Sequence, residues 1–584
     1  MLFLLWAQSA SVRFEIVERD GLARIGRLEL DASSYTTPAI AFVETERFAA
    51  PEGSLKMRSL DGGRPGDLLM APSDFSADNR VATKPISQLA PHHRESPYAS
   101  DPGESDILTP KGTSALLLDS HKFANAIETM KTGGNLLKPL LCSVMALPHR
   151  LALLSYSGFD LFDSLPLIMA SENAGYLTST GILPYERLKD LPCSCPSCSS
   201  GKRGKEELLN HNYAAAETEL RMVRHAISEG KLRELVENRV RTDPWLVQNI
   251  RLLDIEHQEL LERHAPVKGA PFHAGSKESL SRPEIMRWRK RLETRYARPA
   301  GTRILVLIPC SARKPYSFSK SHMRFRQAIQ KSGKADIVHE VIVTSPIGLV
   351  PRELELFYPA QDYDIPVTGH WDRDEKMLAQ EMLSWLVSTQ QYDLVISHLG
   401  DEREPVNSTL KDFVDTSLGN PGSPESLERL ESTLGESGLE PISAQGKPRL
   451  TEDMRSICRF QFGDAGSKLC DDASLWGRWP NIKLMRGNTQ LGMLTGERGM
   501  ISLTLEGAKV IASAGRYSVE IDNFTPKGNL FAVGVESASD EIRIGDDVAV
   551  VHKGDVRAVG VAAMTPEEMT LAERGEAVHI RHTR

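Results

Sequence analysis

The sequence predicts a multidomain chain that joins α/β and α+β units and ends in a β-rich domain. Three observations predict it. The chain has 584 residues, too many for one core at roughly 150 residues per domain. Two apolar runs, RILVLI and YDLVIS, stop abruptly in polar loops, as buried parallel strands do. The final stretch is a series of short apolar runs punctuated by glycine, as in KGNLFAVGV and IGDDVAVVHKGDVRAVGVAAM.

Residues 1–290 mix short β-rich runs (SVRFEIVE, ARIGRLELD, AIAFVET) with helical stretches, the longest over about 206–263. Such alternation predicts a barrel or a doubly wound domain. Residues 264–300 read as a connection followed by a short basic helix, EIMRWRKRLETRYA. A central α/β unit over 300–416 contributes the buried strands. Residues 417–450 are rich in Gly, Pro, Ser and Glu and read as a linker carrying one amphipathic helix. A small α+β region follows over 451–515, and the β-rich tail occupies 516–584. The opening MLFLLWAQSA lacks a basic flank and reads as an N-terminal extension or first strand rather than a signal peptide. With no apolar run of membrane-spanning length, the expectation is a cytoplasmic protein without a membrane partner.

Net charge is −8. That argues against a uniformly basic protein and leaves room for a local basic face. Seven cysteines, three of them within six residues, argue against a disulfide framework. Cys193, Cys195 and Cys198 form C-x-C-x-x-C, with His211 following in LLNHNY. Three thiolates and an imidazole satisfy tetrahedral zinc without an open position, so the expected cofactor is a structural Zn2+.

This cluster, with its His-Asn pair, resembles the zinc site of tRNA-guanine transglycosylases, whose catalytic domain is a modified (β/α)8 barrel. RDGLARIGRLELD and TTPAIAFVET are similar to that family's N-terminal strands. SGFDLFDSL looks like the stretch that carries its attacking aspartate, which makes Asp163 the matching position. The family's D-S-G-G-F-Q segment has no counterpart; neither DGGRPGDLL nor LLLDSHKFANAI replaces it. One carboxylate cannot easily perform both displacement and proton transfer. The resemblance therefore implies a degenerate barrel that keeps its zinc, has lost base exchange, and docks tRNA or holds a modified base.

The tail resembles a PUA domain, a pseudo-barrel that binds structured RNA. Gly528, Gly534, Gly545 and Gly560 suit tight turns, and Lys527, Arg543, Lys553, Arg574 and Arg581 are the candidate phosphate contacts. The region before it resembles the small domain that precedes PUA in archaeal transglycosylases.

IPCSARKPYSFSKSH crowds Cys310, Lys314, Tyr316, Ser319 and His322 just past a buried strand. Parallel sheets present catalytic groups at that edge. A nearby cation and a helix N-terminus favour a thiolate. The competing reading is a buried structural cysteine with exposed neighbours. A second dense stretch, TSPIGLVPRELELFYPAQDYDIPVTGHW, supplies Ser345, Gly348, Glu353, Glu355, Tyr363 and Asp364. Its acidic pair is placed to hold an amine or accept its proton, the alternative being a helix cap and structured loop. His398 ends another strand.

The pattern P-C-x3-K-P-Y-x2-S-x2-H resembles the signature of archaeosine synthases, multidomain relatives of archaeal tRNA-guanine transglycosylase. The resemblance runs over almost the whole chain. It implies conversion of 7-cyano-7-deazaguanine (preQ0) in tRNA towards archaeosine, with glutamine or free lysine as amine donor and, for lysine, a radical-SAM lyase partner. It implies catalysis by Cys310, Lys314, Tyr316, Ser319 and His322, and substrate contacts among Ser345, Gly348, Glu353, Glu355, Asp364, His398 and Asp163. The rivals are an active transglycosylase and a non-enzymatic tRNA-binding protein. A homodimer is compatible with the sequence.

Overall fold

The structure, a computed structural model, describes residues 12–30, 33–59, 68–70, 107–110, 113–366, 371–400, 404–440 and 449–584. The MLFLLWAQSA expectation and residues 441–448 of the expected linker lie outside them. No helix among the described residues is long and apolar enough to cross a membrane. The chain forms two compact units, residues 1–265 with 571–575, and 266–570 with 576–584.

The first unit opens with an antiparallel meander, Arg13–Asp20, Ala23–Leu30 and Ser33–Thr37. A parallel sheet follows, in the order Leu68–Met70, Leu55–Ser59, Ala39–Val43, Leu161–Asp163, Leu141–Cys142. Five parallel strands, not eight, make up this sheet among the described residues, in keeping with a degenerate barrel. Arg24 anchors the meander to it: the buried guanidinium donates two hydrogen bonds to Asp160, at 2.8 and 2.9 Å. The helix Lys205–Ser228 buries Leu208, Ala216, Leu220, Val223 and Ile227, a stripe at helical spacing.

In the second unit the central strand Ile304–Pro309 lies between Val338–Thr344 and Leu394–Ser397, parallel to both. Val414–Asp415 extends the parallel side, and Gly348–Pro351 closes the other edge antiparallel. Residues 304–308 are fully buried, as a central parallel strand covered on both faces requires. The chain passes from the central strand to one neighbour and later returns to the other. The carboxyl ends of Ile304–Pro309 and Leu394–Ser397 therefore flank the topological switch point, where open α/β sheets bind ligands.

Residues 266–299 belong to this unit. Phe272–His273 pairs in parallel with Tyr363–Asp364, and the buried Trp288 indole donates to the Leu349 carbonyl at 3.1 Å. The basic helix Pro283–Arg295 has an apolar face of Ile285, Trp288 and Leu292. Similarly, Pro424–Gly435 buries Leu430 and Leu434 despite its linker-like composition. Next comes a four-stranded antiparallel sheet, Ser474–Arg478, Asn481–Arg486, Thr489–Leu494 and Ile501–Leu503. The tail is a six-stranded sheet in the order Leu530–Phe531, Glu576–Thr583, Asp555–Ala562, Asp547–His552, Ser518–Ile521, Val535–Ala538. Gly560 is obligatory there, since a Cβ would lie 2.4 Å from the His579 carbonyl oxygen.

Candidate active site

Cys310 follows the last residue of the central strand and is a half-buried, reduced thiol. Beside it, Lys314 places Nζ 4.0 Å from the Tyr363 ring centroid and 5.8 Å from that of Tyr316. Burial pushes the Lys314 pKa down, opposed by the negative charges of Cys310 and Asp364. The Tyr316 hydroxyl meets that of Tyr363 at 2.5 Å, and Tyr363 meets Thr344 Oγ1 at 2.6 Å. Burial, then Cys310, raise the Tyr316 pKa, so both phenols stay protonated. Asp364 is exposed and accepts from the Ile365 N–H at 2.9 Å. The structure thus brings Cys310, Lys314, Tyr316 and Asp364 together, with Tyr363 and Thr344 beneath them.

Ser319 and His322 face inward. Ser319 caps the helix Lys320–Lys331, its Oγ accepting from the His322 N–H at 3.2 Å. The His322 ring is buried and accepts at Nδ1 from Arg352 at 2.7 Å, so the proton sits on Nε2. The Pro309 carbonyl favours protonation, yet no partner meets hydrogen-bond geometry at Nε2. Burial and the Arg352 charge push its pKa down to about 2. A neutral, enclosed imidazole is no acid for substrate; it props the strand end that carries Cys310.

Glu353 and Glu355 do not form an acidic pair. The single 3-10 turn Arg352–Leu354, with Glu355 capping it, directs them to different partners. Glu355 is fully buried against the Ser317 N–H at 2.9 Å and Arg352 at 3.1 Å. Glu353 accepts from Tyr296 at 2.6 Å, and Tyr296 also meets His339 at 2.9 Å. Burial alone would raise the Glu353 carboxyl, but His339 and Tyr296 hold it low. Arg352 also binds Glu340, at 2.8 and 3.0 Å, which makes it the hub of the layer under the loop.

Three other expected contacts are structural as well. Ser345 is buried on Glu375, the residue that completes the cap of Arg373–Gln390. Gly348 has φ +85°, and a Cβ there would meet Met382 Sδ at 2.2 Å, so its place is set by packing. His398 is fully buried with both nitrogens occupied, by Thr416 Oγ1 at 2.9 Å and the Pro421 carbonyl at 2.8 Å. In the first unit Asp163 is inaccessible. Its carboxylate accepts from Ser143 Oγ at 2.7 Å and from the N–H groups of Val144 and Leu165 at 3.0 Å. Burial raises its pKa to about 6 even so. Asp163 ties neighbouring strand ends together and does not reach out to a base.

The ligand atoms of Cys193, Cys195, Cys198 and His211 lie within 4.8 Å of one another. His211 Nδ1 is 3.3 Å from Cys198 Sγ and 3.6 Å from Cys195 Sγ. Zn–S of about 2.3 Å and Zn–N of about 2.0 Å set tetrahedral S···N edges near those lengths. His211 Nε2–H donates to the Leu177 carbonyl at 2.9 Å, which leaves Nδ1 for a metal. Tyr176 stacks on the imidazole at 3.7 Å. Asn212 explains the His-Asn pair: it grips the hairpin through the Leu177 N–H and the Gly175 carbonyl, each at 2.9 Å. The donors fit a structural zinc ion.

In the tail, Lys527, Lys553 and Arg574 are exposed. Arg543 folds back on the carbonyls of Asp540 and Ile542, at 2.7 and 2.9 Å. Arg581 is committed to the fully buried Asp547 (2.9 Å to Oδ1) and to the Leu503 carbonyl at 3.0 Å. Both therefore hold internal partners, whereas the three exposed cations do not fold back in this way.

Three families match parts of the chain: Queuine tRNA-ribosyltransferase over 111–244, a domain of unknown function (DUF5591) over 285–434, and the PUA domain over 520–583. The chain is 34% identical to the archaeosine synthase subunit alpha of Methanosarcina acetivorans, over 98% of this chain and 99% of that one. It is 34% identical to the archaeosine synthase of Haloferax volcanii, over 97% and 99%. The chain belongs to the archaeosine synthase family. The tRNA-guanine(15) transglycosylase of Methanothermobacter thermautotrophicus is 30% identical over 81% of this chain and 71% of its own.

Within this archaeosine synthase fold, the DUF5591 match contains the whole Cys310 site. Beyond the His-Asn pair that marks Asn212, the sequence gives no sign of the central roles of Arg352 and Thr344 and assigns none to Tyr363. Tyr363 alone carried a signal, since an aromatic two residues beyond PAQ precedes an acid at a strand-like stretch. Thr344 bonds to Tyr363 across 19 residues, whereas Arg352 bonds to Glu340 and Glu355, 12 and 3 residues away, which no spacing rule singles out.

Proposed function

We propose that this protein modifies tRNA by adding an amine to the nitrile of preQ0 within the polynucleotide, on the path to archaeosine. The observation that carries the reading is the Cys310 thiol at the switch point, with the Lys314 amine beside it.

A nitrile carbon is electrophilic. The Cys310 thiolate adds to it, forming a C–S bond, while the nitrile nitrogen takes a proton to give a thioimidate. An amine then attacks the same carbon and loses a proton, the C–S bond breaks, and the thiolate leaves behind an amidine. Nothing is oxidised or reduced. Lys314, with a pKa lowered by burial, supplies the first proton as an ammonium ion and recovers one from the incoming amine. The Tyr316–Tyr363–Thr344 chain fixes the floor on which Lys314 sits. The three cysteines and His211 would hold zinc, which would supply local rigidity to the first unit.

The donor we propose is free lysine, attacking through its amine, or ammonia released when water hydrolyses the side-chain amide of glutamine to glutamate. Relatives named as subunit alpha support a second chain, and the partner we propose when lysine is used is a lyase of the radical-SAM class. The test is to incubate preQ0-bearing tRNA with the protein and either amino acid, digest it to nucleosides and follow their masses. A donor-dependent mass gain is the expected result. Incorporation of free preQ0 into unmodified tRNA would instead make the protein a transglycosylase, which the burial of Asp163 argues against.

A further inference from the structure

The hairpin Ser474–Arg478/Asn481–Arg486 lies in the small sheet before the tail and carries an exposed aromatic among cations on its outer face. Trp476 is 55% exposed, an unusual place for an indole. The register sets Trp476 directly opposite Lys483, and Arg478 projects on the same face two residues on. The inner positions, Leu475 opposite Leu484, point to the core instead.

Along this hairpin and the strand that follows it, the charged side chains have one sign. Residues 474–494 contain Arg478, Lys483 and Arg486 and no aspartate or glutamate, within a chain of net charge −8. Arg486 is occupied by the carbonyls of Lys468 and Asp471, at 3.1 and 3.3 Å. Arg478 and Lys483 are exposed and have no ion-pair partner among the described residues. The two strands also pack closely. Gly477 has φ +112°, and a Cβ there would lie 2.4 Å from the Asn481 carbonyl oxygen, so the strands approach closely beside the indole.

An exposed aromatic flanked by uncompensated cations on a sheet is what unpaired nucleotides bind: the ring stacks a base and the cations neutralise adjoining phosphates. We propose that this face binds unpaired RNA nucleotides, one base stacking on Trp476 while Arg478 and Lys483 hold the flanking phosphates. The surface lies outside the tail and outside the Cys310 site, and it rests on the reading that tRNA is the substrate.

The test is tRNA binding by the full-length chain across a salt series, with wild type, Trp476→Ala, Trp476→Phe and the double variant Arg478→Ala/Lys483→Ala. Trp476→Ala is expected to weaken binding about tenfold, with Trp476→Phe recovering most of it. The double variant is expected to flatten the dependence of log K on log salt by about two. Unchanged thermal midpoints and circular dichroism verify folding. If wild type binds and Trp476→Ala and the double variant bind equally well with the same salt slope, the face meets something other than RNA and the inference is overturned, while the substrate reading stands. If wild type itself fails to bind tRNA, both fall.

Discussion

Lys314 Nζ sits 4.0 Å above the Tyr363 ring, and the Tyr363 hydroxyl is itself pinned between Tyr316 and Thr344. A ring face favours an ammonium ion, while burial pushes the Lys314 pKa down against the charges of Cys310 and Asp364. The relationship gives a long, flexible side chain one address beside Cys310.

Removing the amine should cost catalysis more than structure. Lys314→Met is expected to lower the single-turnover rate of amine addition on the order of 100-fold or more, with little change in tRNA affinity. Tyr363→Phe keeps the ring and should retain most activity, whereas Tyr363→Leu removes the platform and should approach the Lys314→Met rate. Single-turnover kinetics on preQ0-bearing tRNA distinguish the three.

His322 makes stability depend on pH in a defined direction. Its folded pKa is about 2 and its unfolded value about 6.5. Between those values the unfolded chain binds a proton that the folded chain refuses. Its contribution is therefore full above about pH 6.5 and is lost as pH falls, by about 1.4 kcal/mol per pH unit at most. Urea unfolding of wild type and His322→Gln at pH 7 and pH 5 should show a smaller acid loss in the variant, though the variant is less stable at both.

Arg581 and Lys527 should behave oppositely despite their equal charge. Arg581→Ala leaves the buried Asp547 with Arg498 but without its other guanidinium, a change expected to cost about 3 kcal/mol without altering the salt slope of tRNA binding. Lys527→Ala should leave stability unchanged and reduce that slope by about one. Denaturation and salt-series binding on the same two variants check both.

For the metal, inductively coupled plasma analysis should find one zinc per chain, lost in Cys195→Ser or His211→Ala. Chelation should lower the thermal midpoint of the first unit, because metal binding energy is folding energy at such sites.

What was legible in the sequence was local. The buried strand before Cys310 is one apolar run, the zinc donors span a short stretch, and the Cys310–Lys314 spacing puts both groups in one loop. What was illegible was the direction in which charged side chains point. Glu353 finds Tyr296 across 57 residues of chain, and Arg581 finds Asp547 across 34. From sequence, a carboxylate beside an active-site loop and a carboxylate paying for a buried arginine look alike. Asp163 shows the same limit: its motif position is kept, while Ser143, Val144 and Leu165 enclose it. Residues 266–299 joined the central unit because one helix face carried Trp288 and Leu292, a signal masked by the arginines around them.

The most direct test of the central claim is a donor-free incubation of preQ0-bearing tRNA with wild type and Cys310→Ala, with intact mass measured under native pH. A covalent tRNA–protein species is expected in wild type, mapped to Cys310 and discharged by added amine, with neither adduct nor product in the variant. Amidine formed at the wild-type rate by Cys310→Ala would contradict it.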